Sequence, residues 1–141
     1  MLRRCSTLAT HVLVLTLSFG CVQTLGAEQA SAEESWSGAE AAAVSEWGNS
    51  EGKDYGRSLE KSFSKDHSAT IGVCASEAQK PDLSKFTLLL RIDAAGVVES
   101  AMVKPATNVA VCLQGKIKGW KVSPPPHGGF WAKLDVKLKA G

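Results

Sequence analysis

Four cysteines and three histidines are the side chains of this 141-residue chain best suited to nucleophilic, redox or metal chemistry. Their spacing limits what they can do. Cys5, His11 and Cys21 fall in an amino-terminal stretch of a different character, so Cys74, Cys112, His67 and His127 are the four that could act together. None forms the close pair that metal sites use, and no Cys-x-x-Cys occurs, so a Cys2His2 centre built from four scattered positions is disfavoured. In an exported chain an isolated pair of cysteines reads as a disulfide, with buried free thiols as the alternative. Ser123, His127 and Asp135 supply the residue types of an acyl-transfer set, but no Gly-x-Ser-x-Gly elbow or paired carboxylate accompanies them, and chance is the better account. His127, between Pro126 and Gly128, reads as a loop residue. Lys133, Lys137 and Lys139 could form an anion-binding ridge, although lysines on a strand commonly keep an exposed edge soluble. No catalytic residue, metal ligand set or cofactor is assigned.

The amino terminus argues for export. Met1-Leu-Arg-Arg4 is basic, Leu8 to Val22 is an apolar run broken by Thr10, His11, Thr16 and Ser18, and small residues follow at Gly26 and Ala27. This is the layout of a secretory signal peptide over residues 1–27, and the run is short and polar for a membrane span, which needs about 20 apolar residues. A retained anchor is the alternative. Cys21 imitates a lipoprotein signal imperfectly, because the large aliphatic residue stands four positions ahead of it rather than three. Removing Arg3 and Arg4 leaves basic and acidic residues equal in number, so nothing points to nucleic acid.

Residues 28–53 read as an acidic leader, partly mobile. Its glutamates occur among Ala, Ser and Gly, with only Trp36, Val44 and Trp47 able to bury. A helix is expected over Ala39 to Trp47, with Val44 and Trp47 as its apolar stripe and Trp47 docking on the main body. Residues 54–141 then read as one α+β domain. A helix over Asp54 to Lys65 carries Tyr55, Leu59 and Phe63 on one face. Ala69 to Cys74 is either a short strand or a helical turn. Phe86, Leu88, Leu90 and Ile92 alternate with Thr87, Leu89 and Arg91, which predicts a strand with one core face. Asp93-Ala94-Ala95-Gly96 is a hairpin signal, and Val97 to Val103 returns as the second strand. Thr107 or Asn108 can cap a helix running to Trp120, with Val109, Cys112, Leu113 and Ile117 inward and Gly115 and Gly119 allowing close packing on the sheet. Pro124 to Pro126 stop the chain before Phe130 to Lys139, where Phe130, Ala132, Leu134, Val136 and Leu138 alternate with Trp131, Lys133, Asp135, Lys137 and Lys139. The fold expected is a small antiparallel sheet of about three strands with a packed helix, preceded by one or two helices.

The order of these elements resembles the carboxyl-terminal domain of TonB and its periplasmic relatives. The residues that carry the likeness are Asp93-Ala-Ala-Gly96-Val97-Val98, the helix ending at Trp120, Pro124 to Pro126, Gly128-Gly129, and Val136 with Leu138. The cysteine pair looks most like the subset found in gliding-motility-associated proteins. About half of the mature chain is covered. The long Pro/Glu/Lys linker of the energy-transducing members is missing between Glu28 and Lys53, and so is the usual Tyr-Pro that opens the domain, which argues against energy coupling. The resemblance implies an exported, non-catalytic interaction or envelope-assembly module that recruits a periplasmic or outer-membrane protein by strand addition, with no membrane span after processing. The Phe130 to Lys139 edge is the expected docking strand, with Trp131 as an exposed aromatic contact and Lys133 and Lys137 favouring an acidic peptide; the alternative is that the lysines guard the edge and Trp131 packs on Trp47 or another amino-terminal residue. The rivals are a small exported enzyme or ligand-binding protein, and an envelope lipoprotein anchored at Cys21.

Overall fold

Alternation along one strand organises the centre of the molecule. In the computed structural model, which describes residues 35–138, β1 (Phe86–Ile92) pairs antiparallel with β2 (Val98–Lys104) on one side and β3 (Phe130–Val136) on the other. The strand order is β2-β1-β3. Ahead of the sheet lie α1 (Trp36–Glu46), α2 (Ser50–Asp66) and α3 (Ser68–Glu77), and α4 (Asn108–Ile117) joins β2 to β3. The α+β class is therefore as expected, with three helices before the sheet because the Ala69–Cys74 segment is helical. The signal-like residues 1–27, Cys21 and Lys139 lie outside the described residues.

The hairpin forms where its residues demand it. The Asp93 carboxylate accepts from the backbone N–H of Ala95 (2.9 Å) and Val97 (2.7 Å), an Asx-type turn. Gly96 has φ +82°, and a Cβ there would collide with the Val122 carbonyl, so glycine is required on both counts. Glu99 is skipped in the pairing, a bulge that lets Val98 oppose Ile92 while Ser100 opposes Arg91.

The alternation has two consequences. Phe86, Leu88, Leu90 and Ile92 meet Leu59 and Phe63 of α2, Cys74 of α3, and Val109, Leu113 and Ile117 of α4 in the main core. Leu89 points the other way and is equally buried, in a second small core with Trp131 beneath Ala39 and Ala43 of α1. Burying Leu89 contributes about 2 kcal/mol, so this second layer is a real part of the stability. The sheet is thus covered on both faces, where the sequence patterning implied one.

That layer corrects the reading of the leader. Residues 36–53 build α1 and open α2, and from Ser35 onward the chain belongs to one compact unit, so Asp54 is no structural boundary. The α1 stripe is Ala39 and Ala43 rather than Val44 and Trp47, and Val44 is 59% exposed. Small side chains let the helix axis approach the sheet closely, which a hydrophobicity pattern dominated by large residues does not reveal. Trp47 closes α1 and lies against Gly56 of α2. Two caps not read from the sequence start these helices: the Ser35 hydroxyl accepts from Gly38 N–H (3.2 Å) and the Asn49 amide oxygen from Gly52 N–H (2.6 Å).

α4 begins as expected, with the Thr107 hydroxyl accepting from Ala110 N–H at 3.1 Å. It ends at Ile117, three residues short of Trp120, because Gly119 at φ +86° turns the chain and Gly119 N–H and Trp120 C=O bond to Val98 of β2. Gly115 and Gly119 have nothing near enough to require a missing side chain, so the close-packing role expected of them is not present.

Candidate functional site

The side chains with chemical potential are held apart. Cys74 on α3 and Cys112 on α4 form a disulfide with Cα atoms 5.7 Å apart, as the isolated pair implied. No group of three or more His, Cys, Asp or Glu that could hold a metal occurs among the described residues. His67, between α2 and α3, stacks on Trp120 with ring centres 3.9 Å apart, and burial there holds its imidazole below the ordinary value while Asp66 pulls the other way. His127 lies elsewhere, with Nδ1 3.1 Å from the Gly128 carbonyl and Nε2 3.0 Å from Glu46; these hydrogen bonds, Gly128 first, raise its pKa.

The Ser123, His127 and Asp135 set is not assembled. His127 precedes β3 and Asp135 stands five residues into it, a strand distance of about 16 Å. Asp135 accepts instead from the Thr87 hydroxyl at 2.9 Å. The Ser123 carbonyl accepts from Tyr55 at 2.7 Å, and burial pushes that phenol up to about 12, out of range for acid–base work near neutrality.

The three residues expected to bind a partner have different surroundings. Trp131 is only 8% exposed, because α1 covers it, so an exposed indole on β3 is corrected to a buried one. Lys133 donates to Glu40 Oε1 at 2.7 Å while Trp36 Nε1 donates to Oε2 at 3.0 Å. The two bonds, Lys133 first, hold the Glu40 carboxyl below the usual carboxylate range. Lys133 thus clamps α1 to the sheet. Lys137 alone of the three is exposed.

What β3 does border is three grooves: one of about 300 Å³, where Asp135 and Lys137 lie with Lys85, Thr87 and Lys104, and a pair beside α2. The larger, about 520 Å³, lies between α2, α3 and the end of the strand, with Phe63, Ile71, Leu83, Leu134, Val136 and Leu138 as its apolar wall. Glu60, Asp135 and Lys137 are its charged groups. The smaller, about 250 Å³, is lined by Ala43, Val44, Trp47 and Lys133, and again by Glu60 and Asp135. Glu60 and Asp135 border both, so α2 passes beside β3 between them; the strand ends at Val136, short of the Lys139 expected, and residues 134–138, its last three and the two that follow, lie along the larger groove. Sequence patterning placed Leu134, Val136 and Leu138 on one face. It had no means of finding Glu60, Ile71 and Leu83, which reach the groove only through tertiary packing. The arrangement is an apolar trough beside strand backbone, with the hydroxyls of Ser64 and Ser68 and the carboxylates of Glu60 and Asp135 also in its lining.

No protein-family model, curated protein or solved structure matches this chain. No helix among the described residues is long and apolar enough to cross a membrane.

Proposed function

We propose that this chain is an exported, non-catalytic protein-interaction or envelope-assembly module that receives an extended segment at the carboxyl end of β3. The observation that carries the reading is the apolar groove alongside an edge strand. Such a strand has N–H and C=O groups that an added strand can satisfy, while Phe63, Ile71 and Leu83 offer a wall for its alternate side chains. The resemblance to the TonB carboxyl-terminal domain supports the same mode, and a disulfide suits an oxidising compartment such as the periplasm.

The chemistry of the guest follows from the rim. Lys133 is already neutralised by Glu40, and the groove's charged groups are Glu60, Asp135 and Lys137. A segment of alternating apolar residues with mixed charges fits that rim better than the acidic peptide anticipated from the lysines.

A photo-crosslinking residue at position 137, compared with one at Val111 on the exposed side of α4 (49% exposed) in the exporting cell, tests the reading. The expected result is one adduct of defined mass from position 137, lost when Ile71→Arg fills the groove, and none from position 111. Equal adducts at both positions, or none at 137, overturn it.

A further inference from the structure

We propose that the segment received at the end of β3 is the same segment of a second copy of this chain, the two strands pairing antiparallel about a two-fold axis at Val136. The inference rests on the interaction surface just described and names its occupant.

The run Leu134-Asp135-Val136-Lys137-Leu138 is its own complement. When it is laid antiparallel on itself with Val136 opposite Val136, Asp135 faces Lys137 of the second copy and Lys137 faces Asp135 of the second copy. Leu134 and Leu138 face each other in the same exchange. Opposite charges directly across a strand pair stabilise it and like charges oppose it, so both polar rows favour this register. Side chains opposed across a sheet lie on one face, which puts Leu134, Val136 and Leu138 of both copies on the side of the apolar groove. A closed two-fold contact of this kind uses one patch twice. The product is one sheet in the order β2-β1-β3-β3-β1-β2.

The structure disfavours the competing register. Centring the axis on Leu134 would oppose Asp135 with Lys133, but Lys133 is held by Glu40 at 2.7 Å, and α2 passes the strand there with Glu60. The register at Val136 uses the part of the edge lying clear of α2. Lys137 has the look of an edge-guarding lysine, which works by leaving a charge with no counter-charge opposite. Here the pairing that aligns the leucines also supplies its aspartate.

Sedimentation velocity on the purified disulfide-bonded protein, from micromolar to millimolar concentration, tests this. The native chain is expected to show a concentration-dependent two-copy species. D135K and K137D each place like charges opposite in both symmetric rows and should each weaken self-association about tenfold or more. Mixing the two differently tagged variants should restore a species with one chain of each, because every like-charged row becomes an oppositely charged one. That restoration also shows that both variants are folded. A native chain that stays monomeric throughout, singles that associate like the native chain, or a mixture that fails to pair overturns the proposal. If the native chain is monomeric while position 137 still crosslinks to a different protein, self-pairing falls and the interaction surface stands. If that adduct is missing too, both fall.

Discussion

Removing the bridge between α3 and α4 should cost more than any other single change of comparable size. Cys74 and Cys112 are separated by 38 residues, and closing a loop of that length in the unfolded chain corresponds to about 4 kcal/mol in the chain-entropy model. Converting both to alanine also empties space around Cys74, which is 1% exposed, for roughly 1 kcal/mol more. Against the ~5–15 kcal/mol typical of a small domain, that is a large fraction. The loss should not be spread evenly. Cys74 is the only buried residue of α3, and His67 at its start makes no side-chain cap bond, so little else anchors this helix. Urea unfolding of the native chain with and without reductant, and of the double variant, measures the global term. Amide hydrogen exchange over residues 68–77 measures the local one. A change below about 1 kcal/mol, or α3 exchange indistinguishable from that of α4 in the reduced protein, would refute both the loop argument and the claim that α3 hangs on the bridge. Because Ile71 and Ala75 of α3 wall the larger groove, the same reduction should weaken whatever binds there.

Two glycines should respond in opposite directions in thermal unfolding. Gly96→Ala should cost about 2 kcal/mol or more, from the positive φ and the collision with Val122 C=O, whereas Gly115→Ala, in an exposed turn of α4 with open space around it, should gain about 0.5–1 kcal/mol. Shifts of the same sign would contradict the two environments described. The histidines should split in an NMR titration, His127 above the ordinary imidazole value and His67 below it. A raised value means that His127 contributes stability that is full below its unfolded pKa and lost as pH rises through the folded one. Its ring is 55% exposed, so that term is small. His67 has the opposite sign: its contribution is present above the unfolded pKa and is lost as pH falls through the folded one. Glu46→Gln should lower the His127 midpoint and leave His67 unmoved, and coincident midpoints in the native chain would count against both assignments.

Much of the fold was legible because local chemistry and long-range packing agree. The alternation in Phe86 to Ile92 and in Phe130 to Val136, the Asp93–Gly96 turn, the Thr107 cap and the Tyr55, Leu59, Phe63 stripe each state one requirement, and each is met. The cysteine pairing was legible because only two of the four cysteines lie outside the amino-terminal signal-like stretch. The boundary of α4 was not, since Trp120 continues the apolar spacing beyond the glycine that ends the helix. Nor was the buried face of α1: a helix was expected there on a Val44 and Trp47 stripe, whereas the face that packs is two alanines that add little to any hydrophobic periodicity.

The buried face of α1 matters most for the site. Period-two alternation says that β3 has two faces, but not whether the second is covered, and Trp131 with Lys133 looks the same in sequence whether it awaits a partner or a helix of its own chain. Once α1 lies on that face, Trp131 becomes core and Lys133 becomes the counter-charge of Glu40, and neither remains available to a guest. What survives is set by α2, which passes the strand at Glu60 and leaves residues 134–138 beside the groove. In that remnant the charges alternate as Asp135 and Lys137, so a strand that paired there would meet one acid and one base in sequence. Selection by an acidic surface meeting a basic one would need Lys133 free. The self-complementarity of Leu134 to Leu138 therefore becomes visible only after the structure has removed Trp131 and Lys133 from the docking surface.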